Sequence, residues 1–199
     1  MAKRLSQIVR GGSLVAQPWP NGRGLTRDVV RRTAGDGRLD WLVSLADLAE
    51  DAPFSHFAGI DRIFTLVAGD QVDLVLDEGA ALPCRTLVPA HFPGDRPTRA
   101  ILRNGPGRAL NVFVDRRRRR AAVAILLLAA EHPAWPGRET ELLHCVAGRV
   151  GACGSALDPG DSLLGSGPEP VRALGGPAVA LAVRIWDAPS ADAETRSEV

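Results

Sequence analysis

Phe64-Thr65-Leu66-Val67-Ala68-Gly69, followed by Val72, returns later in the chain as Leu143-His144-Cys145-Val146-Ala147-Gly148, followed by Val150. In both places a short apolar run meets a Gly and a second apolar run begins, the pattern of a strand, a tight turn and a new strand. Further landmarks recur in the same order. Pro93-Gly94-Asp95 is answered by Pro159-Gly160-Asp161. Pro97-Thr98-Arg99-Ala100, Gly105-Pro106 and Ala109-Leu110-Asn111-Val112 are answered by Pro170-Val171-Arg172-Ala173, Gly176-Pro177 and Ala180-Leu181-Ala182-Val183. A Pro-Gly-Asp step suits a tight turn, because Pro presets φ, Gly accepts positive φ and Asp hydrogen-bonds nearby backbone.

Apolar runs bounded by Gly, Pro and Asp predict strands at Leu39–Leu45, Arg62–Val67, Val72–Leu76, Thr98–Leu102, Ala109–Val114, Ala121–Leu128, Leu142–Val146 and Ala178–Trp186. Helix-period patterns are scarce, and Asp47–Asp51 reads equally as one short helix or a turn. A repeat this long indicates duplicated barrels, not a solenoid of short units. Strand, Gly turn, strand, Pro-Gly-Asp turn, strand is also the order found in cupins, small jelly rolls with the ligand inside the barrel mouth. The expected fold is therefore mainly β, a bicupin of two fused cupin-like halves. Residues 1–115 form the first half, the Arg-rich run 116–120 a linker facing water, 121–186 the second half, and 187–199, poor in apolar residues, a disordered tail.

The 199 residues are 45% hydrophobic, enough to bury a core, and a formal net charge of +1 gives no field that would gather nucleic acid or anionic lipid. With 5% aromatic residues and no Tyr, a base-stacking surface is hard to assemble, so no nucleic-acid partner is expected. The apolar run Ala121–Ala130 is too short to span a bilayer, and the residues before Gly11-Gly12 lack the apolar core of a signal peptide. Cys84, Cys145 and Cys153 are odd in number and lack C-x-x-C spacing, which fits a reducing, cytoplasmic setting and argues against both disulfides and a zinc site. His56, His91, His132 and His144 are scattered, without the close His spacing of metal-binding cupins, so neither a metal nor another cofactor is expected. His144, in a predicted strand, reads as a buried, hydrogen-bonded imidazole.

Two dense segments precede the repeat and follow no strand pattern. Trp19-Pro20-Asn21-Gly22-Arg23-Gly24-Leu25-Thr26-Arg27-Asp28 contains an Asn-Gly turn whose backbone N–H groups could cradle an anion, but it lacks the Lys-Ser/Thr ending of a nucleotide-phosphate loop. The second runs from Trp41 through Ser44, Asp47, Glu50, Pro53-Phe54-Ser55-His56 and Gly59 to Asp61-Arg62. Together they resemble the signature of the HutD/Ves family, in which Trp-x-Asn-Gly-Gly-Gly-x-Thr-Arg-Glu is followed by Trp-x-x-Ser, Pro-Phe-Ser and Gly-x-Asp-Arg. The matching residues are Trp19, Asn21, Thr26 and Arg27, then Trp41, Ser44, Pro53, Phe54, Ser55, Gly59, Asp61 and Arg62, then Phe92, Gly94, Asp95 and Asn111. The resemblance is strong over Trp19–Val114 and only in outline beyond. Arg23, Ala52 and Asp28 depart from the family's Gly, Gly and Glu, and Arg23 would place a cation beside the pocket or force its loop outward.

The resemblance implies a bicupin without a catalytic metal, linked in many relatives to histidine utilisation and to sensing a carboxylate such as urocanate or formylglutamate. The residue chemistry accords with that. Arg62, entering a barrel strand, offers a planar fork to a carboxylate, with Asp61 or Ser44 holding its orientation. Thr26, Arg27, Asn111 and the Asn21 turn add donors at the rim. Two other readings stand beside this one: a metal-independent enzyme moving protons through Asp61, His91 or Glu50, and a ligand-free scaffold, with room for a homodimer across a sheet edge.

Overall fold

The computed structural model describes residues 6–19, 22–77, 79–165 and 169–189, and these contain no α-helix, hence none long and apolar enough to cross a membrane. After β1 (Gln7–Val9) and a 3-10 turn at Gly11–Ser13 come β2 (Gln17–Pro18), β3 (Gly24–Thr33), β4 (Leu39–Leu48), β5 (Ala52–Pro53) and β6 (Ile60–Ala68). They are followed by β7 (Gln71–Leu76), β8 (Ala80–Arg85), β9 (Ala90–Pro93), β10 (Thr98–Leu102) and β11 (Gly107–Asp115). The later part of the chain holds β12 (Arg119–Leu128), β13 (Thr140–Ala147), β14 (Val150–Ala152), β15 (Ser155–Leu157), β16 (Ser162–Leu164), β17 (Arg172–Ala173) and β18 (Ala178–Asp187).

The repeat is visible as pairing. In the first half the large sheet runs β2-β3-β4-β11-β6-β9 and a small one β5-β10-β7-β8; in the second the large sheet runs β1-β16-β13-β18-β12 and the small one β15-β14-β17. The shared strands pair in one plan, with β4, β11, β6 and β9 answered by β12, β18, β13 and β16. The two large sheets pack face to face. Val43 and Leu45 of β4, Leu110 and Val112 of β11, Leu142 of β13 and Leu181 and Val183 of β18 form the core between them. Phe64, Leu66, Val72 and Leu74 fill the small-sheet end of the first half, and Leu143, Leu157, Leu163 and Ala180 the interior of the second. The central strands are thus buried on both faces, which is why they read in sequence as continuous apolar runs instead of alternating ones.

The repeated Gly has a steric cause. Gly69 and Gly148 both adopt positive φ, +102° and +70°, where the chain leaves one sheet for the other. Each also presses on the repeated Pro step: a Cβ on Gly69 would lie 3.1 Å from the Pro106 carbonyl oxygen, and one on Gly148 only 2.4 Å from that of Pro177.

Several local expectations change. Gly24–Asp28, part of the segment read as lacking a strand pattern, opens the ten-residue strand Gly24–Thr33. Asp47–Asp51 contains no helix: Asp47 and Leu48 end β4, and Asp51 Oδ1 accepts the Leu102 N–H at 2.8 Å. The Arg run is a hairpin tip stitched to carboxylates from distant segments instead of a solvated linker. Arg116 bonds Asp95 at 2.9 and 3.0 Å and Asp61 at 2.9 Å, Arg118 reaches Asp36, and Arg119, already in β12, bridges Asp40 and Asp187. Gln7–Val9 pair with β16, so β1 lies on the second half's sheet and the division at 115 does not hold there. Asp187 still belongs to β18, and residues 190–199 of the expected tail lie outside the described residues.

His144 is buried between the sheets with Nδ1 2.9 Å from Ser162 Oγ, as its place in a strand predicts. Burial, aided by the charge of Arg108 and opposed by that of Asp161, pushes its imidazole down to about 4. Below the unfolded value of about 6.5 the unfolded chain takes up a proton that the folded one refuses, so stability falls as pH drops from about 6.5 toward 4. The loss expected from this residue is about 3 kcal/mol at pH 4. Urea unfolding of the wild type and His144→Gln at pH 7 and pH 4 checks it; an equal acid loss in both proteins would rule His144 out as the cause.

Candidate functional site

Period-two alternation on three paired strands aims one set of side chains into the first half. On β6 it is Arg62, Phe64 and Leu66; on β11, Ala109, Asn111 and Phe113; on β4, Leu42, Ser44 and Ala46. In the register of the sheet Asp28, Ser44, Asn111 and Phe64 stand in one row across β3, β4, β11 and β6, with Phe113 and Arg62 opposite each other two residues on. Asp28, Ser44 and Asn111 of this row, with Arg62 and Phe113, line one wall of a cavity of about 330 Å³ that Trp19, Phe54 and Phe57 also line.

Arg62 dominates its chemistry. The side chain is buried, and its guanidinium carbon lies 4.6 Å from the ring centre of Phe54, 4.7 Å from that of Phe113, 4.9 Å from that of Phe92 and 5.9 Å from that of Phe57. Nη2 donates to Asn111 Oδ1 at 3.2 Å, and the buried Nε has no protein acceptor. Among the described residues no carboxylate pairs with it. Burial lowers its pKa to about 9, which leaves the group protonated at neutral pH. The aromatic faces offset part of the desolvation by cation–π attraction, but they neutralise no charge. The cavity therefore has a fixed positive end with free donor capacity. Ser44 and Thr26 add hydroxyls, and at the rim Asp28 accepts from Arg31 Nε at 3.1 Å.

Of the residues expected at a ligand site, Arg62, Asn111, Ser44 and Thr26 line this cavity. Asp61 does not, because the residue next to Arg62 in a strand faces the other way; it pairs with Arg116 at 2.9 Å and cannot orient Arg62. Arg27 is turned away from Thr26 by the same rule and, with Arg108, bonds Asp47 at 2.5 Å. Burial raises the Asp47 carboxyl, but its bonds to Arg108 and Arg27 outweigh that and hold it below the ordinary carboxylate range. Asn21 lies outside the described residues. Arg23 turns toward Glu50 and the Asp51 carbonyl and does not line the cavity. The acid–base candidates Asp61, His91 and Glu50 are all absent from the cavity wall.

Sequence reading missed the aromatic box and Asp28. Phe113 was accessible to it, since it stands two residues after Asn111 and so shares its face. Phe54, Phe57 and Phe92 come together only through the pairing of β6 with β9 and the path of the chain beyond β5. Among the described residues the second half does not repeat this polar wall: Ala182 stands at the place of Asn111 and Ala124 at that of Ser44, and an apolar cluster fills its interior. Among the described residues no group of three His, Cys, Asp or Glu side chains is arranged to hold a metal ion.

Comparison with known proteins agrees with this architecture. A cupin 2 conserved barrel domain protein from Leptotrichia buccalis superposes with a TM-score of 0.57 over 90% of this chain and 96% of its own at 11% identity, a likeness of fold alone. HutD from Pseudomonas fluorescens SBW25, solved in a formate condition, matches with a TM-score of 0.79 and 26% identity over 93% of this chain and all of its own. An uncharacterised 21.2 kDa protein encoded in the hutC 3′ region of Pseudomonas putida is 36% identical over 118 residues, 56% of this chain and 60% of the relative, so the chain matches less than two thirds of that relative's length. The sequence pattern of one family, HutD, runs through residues 12–181, from before the cavity-forming strands to the middle of β18, and the chain belongs to that family.

Proposed function

We propose that this chain is a cytoplasmic regulatory module that captures a small carboxylate metabolite in the first half, in connection with histidine utilisation. The observation that carries the reading is Arg62, a buried guanidinium held among aromatic rings with no carboxylate among the described residues as its counter-charge. A carboxylate entering the cavity would accept from its free N–H groups and supply the missing charge. Asn111, Ser44 and Thr26 would then hold the remainder of a small ligand, and the Phe rings would cover a planar, unsaturated body. Urocanate, a conjugated planar carboxylate, meets both demands, and formylglutamate, whose backbone is saturated, meets the demand for a carboxylate. The P. putida relative's place in the hutC 3′ region supports the metabolic context.

The test compares each acid with its primary amide. Urocanate and formylglutamate are expected to raise the melting temperature in proportion to the logarithm of their concentration, by mass action, and the amides to raise it little. Equal shifts for acid and amide, or none for either, would refute capture through Arg62.

A further inference from the structure

The two halves do not contain the same strands. β4 and β12 occupy equivalent places: each has ten residues and pairs along its length with the strand after the repeated Gly-Pro step, β11 or β18. The outer edge of β4 is covered from Gly24 to Thr33 by β3. Among the described residues the second half has no strand in that position, and β12 ends its sheet. We propose that the open edge of β12 is the docking site of a second copy of this chain, β12 against β12 about a two-fold axis, each copy supplying the strand that the other's second half lacks.

The other sheet edges show what a guarded edge looks like in this molecule. β1, β15 and β17 have three residues or fewer, and β2, β5, β8 and β9 are short and carry Pro18, Pro53, Pro83 and Pro93. Short length and Pro prevent unwanted pairing. β12 has neither device. Its stretch from Ala121 to Leu128 has no charge, Pro or Gly. Ala121, Val123 and Ile125 pack toward the core between the sheets and Ala124, Leu126 and Leu128 toward the interior of the second half, yet residues 121–126 stay only partly buried because the edge beside them is open. Leu127 is 76% exposed.

Direction and charge both favour a two-fold copy over a parallel one. The strand that covers β4 runs antiparallel to it, and a two-fold axis likewise sets β12 antiparallel to itself. Arg120 at one end of β12 and Glu131 just past the other are exposed, and among the described residues neither has an ion-pair partner. Antiparallel docking brings the Arg120 end of each strand to the Glu131 end of the other; parallel docking would set Arg against Arg.

The experiment measures mass by analytical ultracentrifugation of the full chain from low to high micromolar concentration, alongside hydrogen exchange of the β12 amides. The expected result is a dimer whose alternate β12 amides, those pointing away from β18, are slowed as dimer forms. Leu127→Lys, at an exposed position, is expected to weaken dimerisation by about ten-fold or more with the melting temperature of the monomer unchanged, since it places a charge on an otherwise uncharged stretch of the strand edge. A wild type that stays monomeric would overturn the proposal. So would a dimer with unprotected β12 amides that is insensitive to Leu127→Lys, or a monomer whose outward β12 amides are already slow, which would mean that the chain covers its own edge.

Discussion

Arg62→Met is expected to abolish carboxylate binding while leaving the empty protein as stable as the wild type or slightly more stable. The two effects have one cause. The guanidinium sits in a box of four Phe rings with one hydrogen bond, to Asn111, and no carboxylate among the described residues, so the empty protein bears the desolvation of an uncompensated charge. Met has a similar unbranched stem and a thioether that packs well against aromatic faces, so it fills the box without that penalty. Asn111 Oδ1 loses its donor, which returns about 1–3 kcal/mol of cost. The net change in unfolding free energy is expected between about zero and 1 kcal/mol in favour of the variant. Binding has no such compensation: loss of the charge-assisted bonds is expected to weaken urocanate or formylglutamate by about 100-fold or more. Titration calorimetry and urea unfolding on the same samples read both. Retained affinity would move the ligand away from Arg62, and a loss of several kcal/mol in the empty protein would make the guanidinium a structural group instead.

The second large effect is on folding. Gly148→Ala is expected to cost about 3 kcal/mol or more, because its φ of +70° disfavours any Cβ and the atoms that Cβ would meet are backbone: the Pro177 carbonyl oxygen at 2.4 Å and Ala178 Cα at 2.8 Å. Neither can move without shifting β18, an interior strand of the second half's large sheet, paired on both sides with β12 and β13. Gly69→Ala, at the equivalent turn, meets its nearest atoms at 3.0 and 3.1 Å and is expected to cost less. Gly154→Ala isolates the conformational part, since its φ of +73° is similar but nothing lies within 4 Å, and is expected to cost about 1 kcal/mol. Urea midpoints should rank the three as 148, 69, 154. A Gly148→Ala protein no less stable than Gly154→Ala would show that the close approach to Pro177 carries no weight.

The same Gly makes plain how far reading the chain reached. The order of landmarks around Gly69 and Gly148 was enough to infer two cupin-like halves, because a positive-φ turn pressed against a Pro step tolerates only Gly and therefore leaves a mark in the residues themselves. β10 was placed at its observed bounds, and β4, β6, β7, β11, β12, β13 and β18 to within a few residues, because most are buried on both faces and so are written as unbroken apolar runs. β3 escaped because Arg27, Asp28, Arg31 and Arg32 mask it; one of its faces is open, and what makes it a strand is the partner β4.

At the site the chemistry was legible and the geometry was not. Arg62, Asn111, Ser44 and Thr26 were identified by type and position, and all four line one cavity. Asp61 and Arg27 were grouped with them through the family motif, where they are chain neighbours of Arg62 and Thr26, and in a strand a neighbour is the residue that points away. Which face of β6 looks inward, which Phe rings close round Arg62, and that no carboxylate among the described residues balances it are properties of register and long-range pairing. The open edge of β12 is of the same kind, for nothing in Ala121–Leu128 records that a strand equivalent to β3 fails to arrive beside it. Local sterics and burial wrote the duplicated fold into the sequence; the unpaired charge and the uncovered strand depend on which of the described residues meet in space, and only the tertiary structure decides that.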